Sequence, residues 1–203
     1  MKKNEIIAPI ILAAGSSEQL GLPKALADFG GTTALRIAVK NCAGYERPIV
    51  VLGCDAERVL PKVPRQAKVA INTHWREGQL GSLLCAVEQV AADAALLVYP
   101  VDHPLLLNRD VSRLVAEYRR RGPGEEIVMP RHAGKYGHPI LLSLALRSEL
   151  AHASTTREVV YRIPERLRVF EAKTSAIYED FHTSESYKKC LHKFLARKRA
   201  RSR

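Results

Sequence analysis

The chain has 203 residues, of which 46% are hydrophobic, so it is long enough for one globular domain with an ordinary core. No apolar run approaches the roughly 20 residues that span a bilayer, and the four cysteines contain no CxxC pair and no secreted-type disulfide framework, which favours a cytoplasmic location without a membrane partner. The net charge is +11, but residues 188–203 hold eight Lys or Arg and no acid, and subtracting these eight leaves about +3, which argues against a nucleic-acid partner for the main body.

The predicted elements alternate between strands and helices, as is typical of βαβ units around a mostly parallel sheet. The first run, IIAPIILA, follows basic residues as a secretory signal would, but Asn4, Glu5 and Pro9 interrupt that pattern, and we interpret the run as a core strand. Strands are predicted at residues 6–13, 47–53, 67–72, 94–102 and 125–130, and short ones at 137–143, 167–172 and 175–181. Helices are predicted at residues 33–45, 55–63, 80–93 and 108–122, and from about Ser184.

This order predicts an α/β fold: a single Rossmann-like, three-layer domain with a mixed, mainly parallel sheet. We place that domain at residues 1–187 and treat residues 188–203 as a basic C-terminal helix end or tail. Two interpretations of the tail stay open, namely a solvated helix end and a contact for an anionic partner.

The first strand runs into a glycine and serine turn, AAGSSEQLGLPK, where backbone N–H groups at the carboxyl edge of a sheet suit an anionic ligand such as phosphate. The Walker A pattern GxxxxGK[ST] fails, because Gly15 and Gly21 are six residues apart and Leu22 stands where that pattern needs a lysine. The Rossmann GxGxxG pattern is absent. Lys24 is a candidate cation for phosphate oxygens, although a surface lysine after a simple turn is an equally good interpretation of the residues alone.

The segment LAAGSSEQLGLPK resembles the signature LAAGxSxRxGxxK of the GT-A-like nucleotidyltransferases related to molybdenum cofactor cytidylyltransferase and guanylyltransferase. Further similarities follow in family order over residues 6–188, in VVLGCDAERV, INTHWREGQLGSLLCAV, VYPVDHPLL, YGHPILL and YEDFHTSESY. The resemblance implies that an NMP unit passes from an NTP to a small phosphorylated acceptor with release of pyrophosphate and with Mg²⁺ as cofactor. CTP and molybdopterin are the favoured substrates, and a molybdoenzyme or its chaperone is a candidate partner.

The resemblance also implies roles for individual residues. Lys24 and Asp102 are the expected catalytic pair, and Asp102 with Asp180 would hold the metal, since Mg²⁺ prefers carboxylate oxygens. Gly137 and His138 are expected near the acceptor. The nucleotide would be bound by Leu12, Ala13, Ala14, Gly15, Ser16, Ser17, Lys24, Asn72, Gly78 and Ser82.

Structural roles are the alternative for several of these residues. Asp102 suits a turn before Pro104, Ser82 a helix start, and Trp75 simple packing.

Two positions depart from the family pattern. Gln19 stands where the signature has Arg, so the loop lacks a permanently charged, bidentate phosphate contact. His182 replaces the second Asp of the ending DIDT, and imidazole suits Mg²⁺ poorly. Two further functions therefore stay open: transfer to a sugar or polyol phosphate, and a catalytically weakened protein that binds the nucleotide or cofactor.

Overall fold

The computed structural model describes residues 5–201, and the strands among them form one mixed sheet. The strands are β1 (Ile6–Ala13), β2 (Ile49–Leu52), β3 (Lys68–Ile71), β4 (Ala94–Pro100), β5 (Ile127–His132), β6 (Lys135–Tyr136), β7 (Ile140–Ser143) and β8 (Leu167–Glu171).

The sheet order is β3-β2-β1-β4-β7-β5, with β6 and β8 both paired to β5. The pairs β3–β2, β2–β1, β1–β4 and β5–β8 are parallel, and β7 is antiparallel to both of its neighbours, β4 and β5. Two reversals restore the original direction, so β5 and β8 point the same way as β1 and β4. The carboxyl ends of all these strands therefore lie at one edge of the sheet.

Helices cover both faces of this sheet, because the central strands are apolar on both sides. The α-helices are α1 (Ala34–Asn41), α2 (Ala56–Val59), α3 (Gln79–Val87), α4 (Asn108–Arg119), α5 (Arg147–His152), α6 (Thr156–Arg162) and α7 (Ser184–Arg201). Among the described residues, no helix combines the length and apolar character that crossing a membrane requires.

Successive side chains of a strand point to opposite faces of the sheet, so alternate residues of each central strand belong to two different hydrophobic cores. In β4, Leu97 and Tyr99 belong to a core shared with α1, α4 and α7, whereas Leu96 and Val98 belong to one shared with α3, α5 and α6. All seven residues of β4 are buried, as predicted for a strand covered on both faces. The three-layer α/β architecture predicted from the sequence is therefore confirmed.

Some predicted elements are shorter than expected. The helix predicted at 33–45 begins where the Thr33 hydroxyl accepts a hydrogen bond from the Arg36 N–H, and it ends at Asn41, before Gly44 with its φ of +97°. The helix predicted at 80–93 ends at Val87. The helix predicted at 55–63 is α2 followed by a 3-10 turn, and Asp55 makes no side-chain cap bond.

The strand predicted at 175–181 is wrong. Residues Ser175–Ile177 form a 3-10 turn started by Thr174, whose hydroxyl accepts a hydrogen bond from the Ala176 N–H, and an irregular segment follows. Apolar Ala176, Ile177 and Phe181 are buried, but they are core contacts of a loop and do not alternate along a strand. The predictions also missed α5, α6 and the two-residue β6.

Candidate active site

The turn after β1 is folded back on itself by its own polar groups. The N–H groups of Leu20 and Gly21 donate to the carbonyl of Ser17, and the Ser17 hydroxyl accepts a hydrogen bond of 3.0 Å from the Lys24 N–H. The next helical element is the 3-10 turn Lys24–Leu26, and the helix predicted at residues 33–45 follows as α1 from Ala34. These bonds fix where the Lys24 side chain emerges.

The neighbouring strand end approaches the same loop closely. The Cys54 N–H donates to the carbonyl of Ala14 over 2.9 Å, and a Cβ on Gly53 would lie 2.6 Å from that carbonyl oxygen. A glycine is therefore required at this contact, since any side chain would force the β2 end away from the loop.

A cleft of about 230 Å³ opens at the carboxyl edge of the sheet above β1 and β4. Its lining contains most of the residues that the family resemblance assigned to the nucleotide, together with both expected catalytic residues. These are Leu12, Ala13, Ala14, Gly15, Ser16, Ser17, Lys24, Gly78, Ser82 and Asp102. The remaining predicted residues, Asn72, Asp180, Gly137 and His138, lie outside this lining.

Lys24 and Asp102 form an ion pair at one end of the cleft. The Lys24 Nζ lies 3.0 Å from Asp102 Oδ2, and both side chains are largely buried, with 17% and 14% of their surface exposed. His182 Nδ1 lies 2.6 Å from the same Nζ, and His182 Nε2 lies 2.9 Å from Asp180 Oδ2. Loop, strand end and C-terminal segment thus meet in one cluster of charges.

A buried histidine holds the second oxygen of Asp102. His103 is 4% exposed, and its Nδ1 lies 3.1 Å from Asp102 Oδ1. Burial alone raises the pKa of Asp102, but the hydrogen bond and charge of His103 and the ammonium group of Lys24 outweigh burial. The pKa of Asp102 therefore lies well below its usual range, and the carboxylate is ionised at neutral pH.

A buried hydrogen-bond network supports the backbone around Asp102. Asn41 of α1 donates from Nδ2 to the Tyr99 hydroxyl, at 3.1 Å, and to the Leu106 carbonyl, at 2.8 Å. The Tyr99 hydroxyl in turn donates to the His103 carbonyl over 3.2 Å. The turn that carries Asp102 is thus fixed from both ends.

The predicted metal ligands Asp102 and Asp180 lie on either side of the His182 ring, whose Nδ1 is 3.7 Å from Asp102 Oδ2. Within residues 5–201, no three His, Cys, Asp or Glu side chains form a ready-made metal cluster. Two carboxylates fit Mg²⁺ nevertheless, because this ion is commonly held by one or two carboxylates together with substrate phosphates.

The segment between β3 and α3 differs from expectation in detail. Ser82 lies within the first turns of α3, which begins at Gln79, and its hydroxyl accepts a hydrogen bond of 3.0 Å from Asn72 Nδ2. Asn72 Oδ1 accepts from the His74 N–H at 2.9 Å. Asn72 is therefore a buried brace for the loop before α3, and the contact with the cleft comes from Ser82 and Gly78.

The expected acceptor turn packs behind Asp102. The His138 ring makes an edge contact with the His103 ring, with centroids 5.3 Å apart, and the His138 N–H donates to the Ile177 carbonyl at 2.7 Å. Burial, followed by the neighbouring His103, lowers the pKa of His138 to about 4. Its buried Nδ1 has no hydrogen-bond partner.

The lining of the cleft differs from the sequence-based expectation at several positions. Gln19 is exposed and does not line the cleft. Trp75 lines it while packing against the core, and the Arg76 guanidinium lies 4.3 Å from the Trp75 ring centroid. Asp55 also lines the cleft. The signal that would have identified it is its position after β2, at the same sheet edge as the loop. The lining residues not predicted are Pro23, Ala25, Asp55, Val59, Trp75, Gln79, Pro100 and Val101.

Known proteins share this fold, and a family model matches most of the chain. Residues 9–169 match the model of the MobA-like NTP transferase domain. The crystal structure of Rv0371c from Mycobacterium tuberculosis H37Rv is 27% identical, with a TM-score of 0.80, and the match covers 95% of this chain and 100% of that one. A structure of Rv0371C in complex with manganese, from the same organism, is 25% identical with a TM-score of 0.75, covering 93% and 98% of the two chains.

A third structure shows the fold at lower identity. It is a nucleotidyl transferase from Methanothermobacter thermautotroptrophicus (Mth528), 20% identical, with a TM-score of 0.77 and coverage of 94% of this chain and 98% of that one. The comparison with curated proteins gave no significant match. The family match spans the loop, Lys24, the segment before α3 and Asp102, and it confirms the resemblance read from the sequence. The chain therefore belongs to the MobA-like NTP transferase family and is a nucleotidyltransferase.

Proposed function

We propose that the protein transfers an NMP unit from CTP to a small phosphorylated acceptor such as molybdopterin, with Mg²⁺ as cofactor and release of pyrophosphate. The observation that carries this proposal is the ion pair between Lys24 Nζ and Asp102 Oδ2 at the cleft formed by the loop after β1. The choice of CTP and molybdopterin rests on the resemblance to cytidylyl- and guanylyltransferases. A molybdoenzyme or its chaperone is the proposed recipient of the product, and the cytoplasm is the proposed location.

In this reaction, the residues of the chain bind and position, and none of them acts as a nucleophile. The backbone of Gly15–Ser17 and the Lys24 ammonium group bind the triphosphate and offset its negative charge. An oxygen of the acceptor phosphate attacks the α-phosphorus in line. The new P–O bond forms as the bond to the β-phosphate oxygen breaks, and pyrophosphate leaves.

The metal ligands in this proposal are Asp102 and Asp180. A divalent ion held by these two carboxylates would supply positive charge to the phosphate oxygens. Because Lys24 and His182 contact these carboxylates, we expect both side chains to move onto the phosphates when the nucleotide is bound. The manganese in the Rv0371C complex supports the use of a divalent ion by this chain. His182 adds an imidazole nitrogen, which makes Mn²⁺ a second candidate.

Two other functions have support from particular residues. The same cluster would serve a sugar or polyol phosphate as acceptor equally well, because both kinds of acceptor present a phosphate group to it. The exposed position of Gln19 favours a catalytically weakened protein that binds the nucleotide or the cofactor, since the cleft lacks the arginine of the family signature.

A thermal-shift panel with CTP, GTP, UTP, ATP and dTTP tests the proposal, with Mg²⁺ and with Mn²⁺. A nucleotide at about 100 times its Kd stabilises the fold by about 2.7 kcal/mol. We expect CTP with Mg²⁺ to give the largest shift and Asp102→Asn to reduce it. The control is Asp93→Asn, an exposed aspartate before the start of β4, which should leave the shift intact.

Pyrophosphate release in the presence of molybdopterin then identifies the acceptor. Release with a sugar phosphate in place of molybdopterin supports the second function. Nucleotide binding without any release supports the third. Absence of a shift with all five nucleotides contradicts the triphosphate site itself.

A further inference from the structure

A second cavity lies between the start of α4 and the carboxyl end of β8. Its volume is about 380 Å³, which falls within the range of about 300–1,000 Å³ that is typical of small-ligand pockets. Three cationic side chains line it, Arg109 and Arg113 of α4 and Lys173 after β8, and we call it the α4–β8 cavity. It shares no lining residue with the nucleotide cleft, so a ligand there would not compete directly with the NTP.

The three cations of the α4–β8 cavity come together without a counter-charge of their own. Arg109 and Arg113 are four residues apart on α4, so they are neighbours on one helix face, where like charges are slightly destabilising. The fold brings Lys173 to the same cavity from a distant part of the chain. Among the described residues, no carboxylate forms an ion pair with any of the three. An anion bound among them would offset their mutual repulsion.

One carboxylate, that of Asp110, also lines the cavity, but it serves the backbone of α4. Its Oδ2 accepts a hydrogen bond of 2.9 Å from the Leu107 N–H at the start of the helix. Glu171, which precedes the lining residues at the end of β8, is paired with Arg131 over 2.7 Å. The lining therefore has a net charge of +2, from three cations and one carboxylate.

A phosphate group matches this lining better than a single carboxylate does. A phosphate monoester carries about −1.5 to −2 charges at neutral pH and presents three acceptor oxygens, and guanidinium groups bind such oxygens in pairs. The Phe170 ring is partly exposed in the same cavity, with the Arg113 guanidinium 5.6 Å from its centroid, so an organic group has an apolar surface beside the cations. We propose that the α4–β8 cavity binds a small phosphate compound, with the phosphate oxygens on Arg109, Arg113 and Lys173.

The cavity borders the segments that support Asp102, but Asp102 does not line it. Pro139 and Ile177 form part of its wall. The Ile177 carbonyl accepts the His138 N–H at 2.7 Å, and the His138 ring contacts the ring of His103, which is bonded to Asp102. A phosphate held in this cavity is therefore a different group from the one that reacts in the nucleotide cleft.

The test measures the binding of phenyl phosphate and of inorganic phosphate to the full chain by isothermal titration calorimetry, with EDTA present to remove divalent ions from the nucleotide cleft. The cavity variant is Arg109→Gln with Lys173→Gln. Both side chains are exposed and form no ion pair with a described residue, so folding should be kept. The matched control is Arg119→Gln with Arg147→Gln, which removes the same charge from exposed positions outside the cavity. Lys24→Gln is a second control, because it removes the cation of the nucleotide cleft.

We expect the natural chain to bind phenyl phosphate and the cavity variant to bind it at least about tenfold more weakly, because hydrogen bonds from two cations are lost. The matched control and Lys24→Gln should bind as the natural chain does. Tighter binding of phenyl phosphate than of inorganic phosphate supports an organic ester as the ligand, and equal binding supports the free ion.

Three results overturn the proposal: no binding at low salt, equal weakening in both double variants, or loss of binding in Lys24→Gln in place of the cavity variant. Tighter binding of citrate, lost in the cavity variant alone, also overturns it, in favour of a site for carboxylates. The measurement uses no nucleotide, so its outcome is independent of the thermal-shift panel that tests nucleotidyl transfer.

Discussion

The carboxylate of Asp102 has a separate partner on each oxygen, with Lys24 on Oδ2 and His103 on Oδ1. The position of Lys24 follows from the hydrogen bond between its N–H and the Ser17 hydroxyl. That of His103 follows from burial and from the Tyr99 hydroxyl at its carbonyl. The bond from His103 therefore keeps Asp102 oriented even when Lys24 moves onto a bound nucleotide, and such preorganised groups stabilise charge at little cost.

His103→Leu should weaken metal binding without unfolding the protein. Leucine keeps the buried site apolar but removes the hydrogen bond to Asp102 Oδ1. Loss of such a supporting partner typically lowers metal affinity by about 10- to 100-fold. The measurement is Mn²⁺ affinity by electron paramagnetic resonance, with His103→Asn as the control, because its amide restores a donor at the same position. Equal Mn²⁺ affinity in His103→Leu and the natural chain would contradict the positioning role.

Gln19→Arg should raise kcat/KM for nucleotidyl transfer. The new guanidinium offers two N–H donors to the triphosphate that the exposed amide of Gln19 does not provide. By analogy with single oxyanion-hole donors, the gain reaches up to about 10²- to 10³-fold. Gln19→Lys serves as the control and should gain less, because an ammonium group lacks the fork geometry. A natural chain that is already fully active, and unchanged by Gln19→Arg, would show that the site works without this cation.

At the scale of elements, residues 175–183 connect the turn at Gly137 and His138 to Asp102. The Ile177 carbonyl accepts a hydrogen bond from the His138 N–H, and the Phe181 N–H donates to the Asp102 carbonyl at 3.2 Å. Ile177 and Phe181 are almost completely buried. This segment thereby carries Asp180 and His182 to the Lys24–Asp102 ion pair although it has no strand or α-helix of its own.

Gly137→Ala should separate these elements and destabilise the protein. A Cβ on Gly137 would lie 2.3 Å from the Ile177 carbonyl oxygen, so the backbone of one segment must move. Forced overpacking of this kind costs about 1–3 kcal/mol. Urea unfolding measures the loss, and Gly122→Ala is the control, because its Cβ meets nothing nearer than 3.5 Å. Equal stability of the two variants would show that the turn adapts without cost.

The sequence predicted the elements whose pattern depends on local composition. Continuous apolar runs and turn residues were enough for β1, β2, β3, β4 and α4. The pattern failed at residues 175–181, where buried Ala176, Ile177 and Phe181 predict a strand but belong to a 3-10 turn and an irregular segment outside the described sheet. It also missed α5 and α6, which are too short for a clear helical period.

The site was predictable where the family signature covers it. Lys24 and Asp102 were expected to meet, and the structure brings them together across 78 residues of sequence. The contact of His182 with Lys24 spans 158 residues, and the His103 bond to Asp102 depends on the burial of that turn. Neither contact has a local spacing rule, and the support that Asn41 and Tyr99 give is likewise tertiary.

At the scale of the whole molecule, the stability of the fold should depend on pH through His138. Its pKa is about 4 in the folded chain, against 6.5 for an ordinary histidine, so the unfolded chain binds the proton first as pH falls. The stability is complete above about pH 6.5 and is lost progressively down to about pH 4. Between about pH 7 and pH 5, the expected loss is about 2 kcal/mol.

Urea denaturation at a series of pH values measures this loss. In His138→Gln, the free energy of unfolding should change much less between about pH 7 and pH 5. The Asp102 carboxyl titrates below its ordinary value of 3.8 and so contributes only at more acidic pH. A curve that keeps its slope in His138→Gln would assign the loss to other groups. The result concerns the free energy of unfolding and is independent of which nucleotide binds.

The central position of β1 in the sheet has a consequence for synthesis on the ribosome. β1 is the first strand made, yet it pairs with β4, which begins at Ala94. At about 5–20 residues per second, the 81 residues from Ala13 to Ala94 take roughly 4 to 16 s to translate, during which one hydrogen-bonding edge of an almost wholly apolar strand waits without its partner. The nascent chain is therefore most exposed to aggregation, and most dependent on chaperones, before β4 leaves the ribosome.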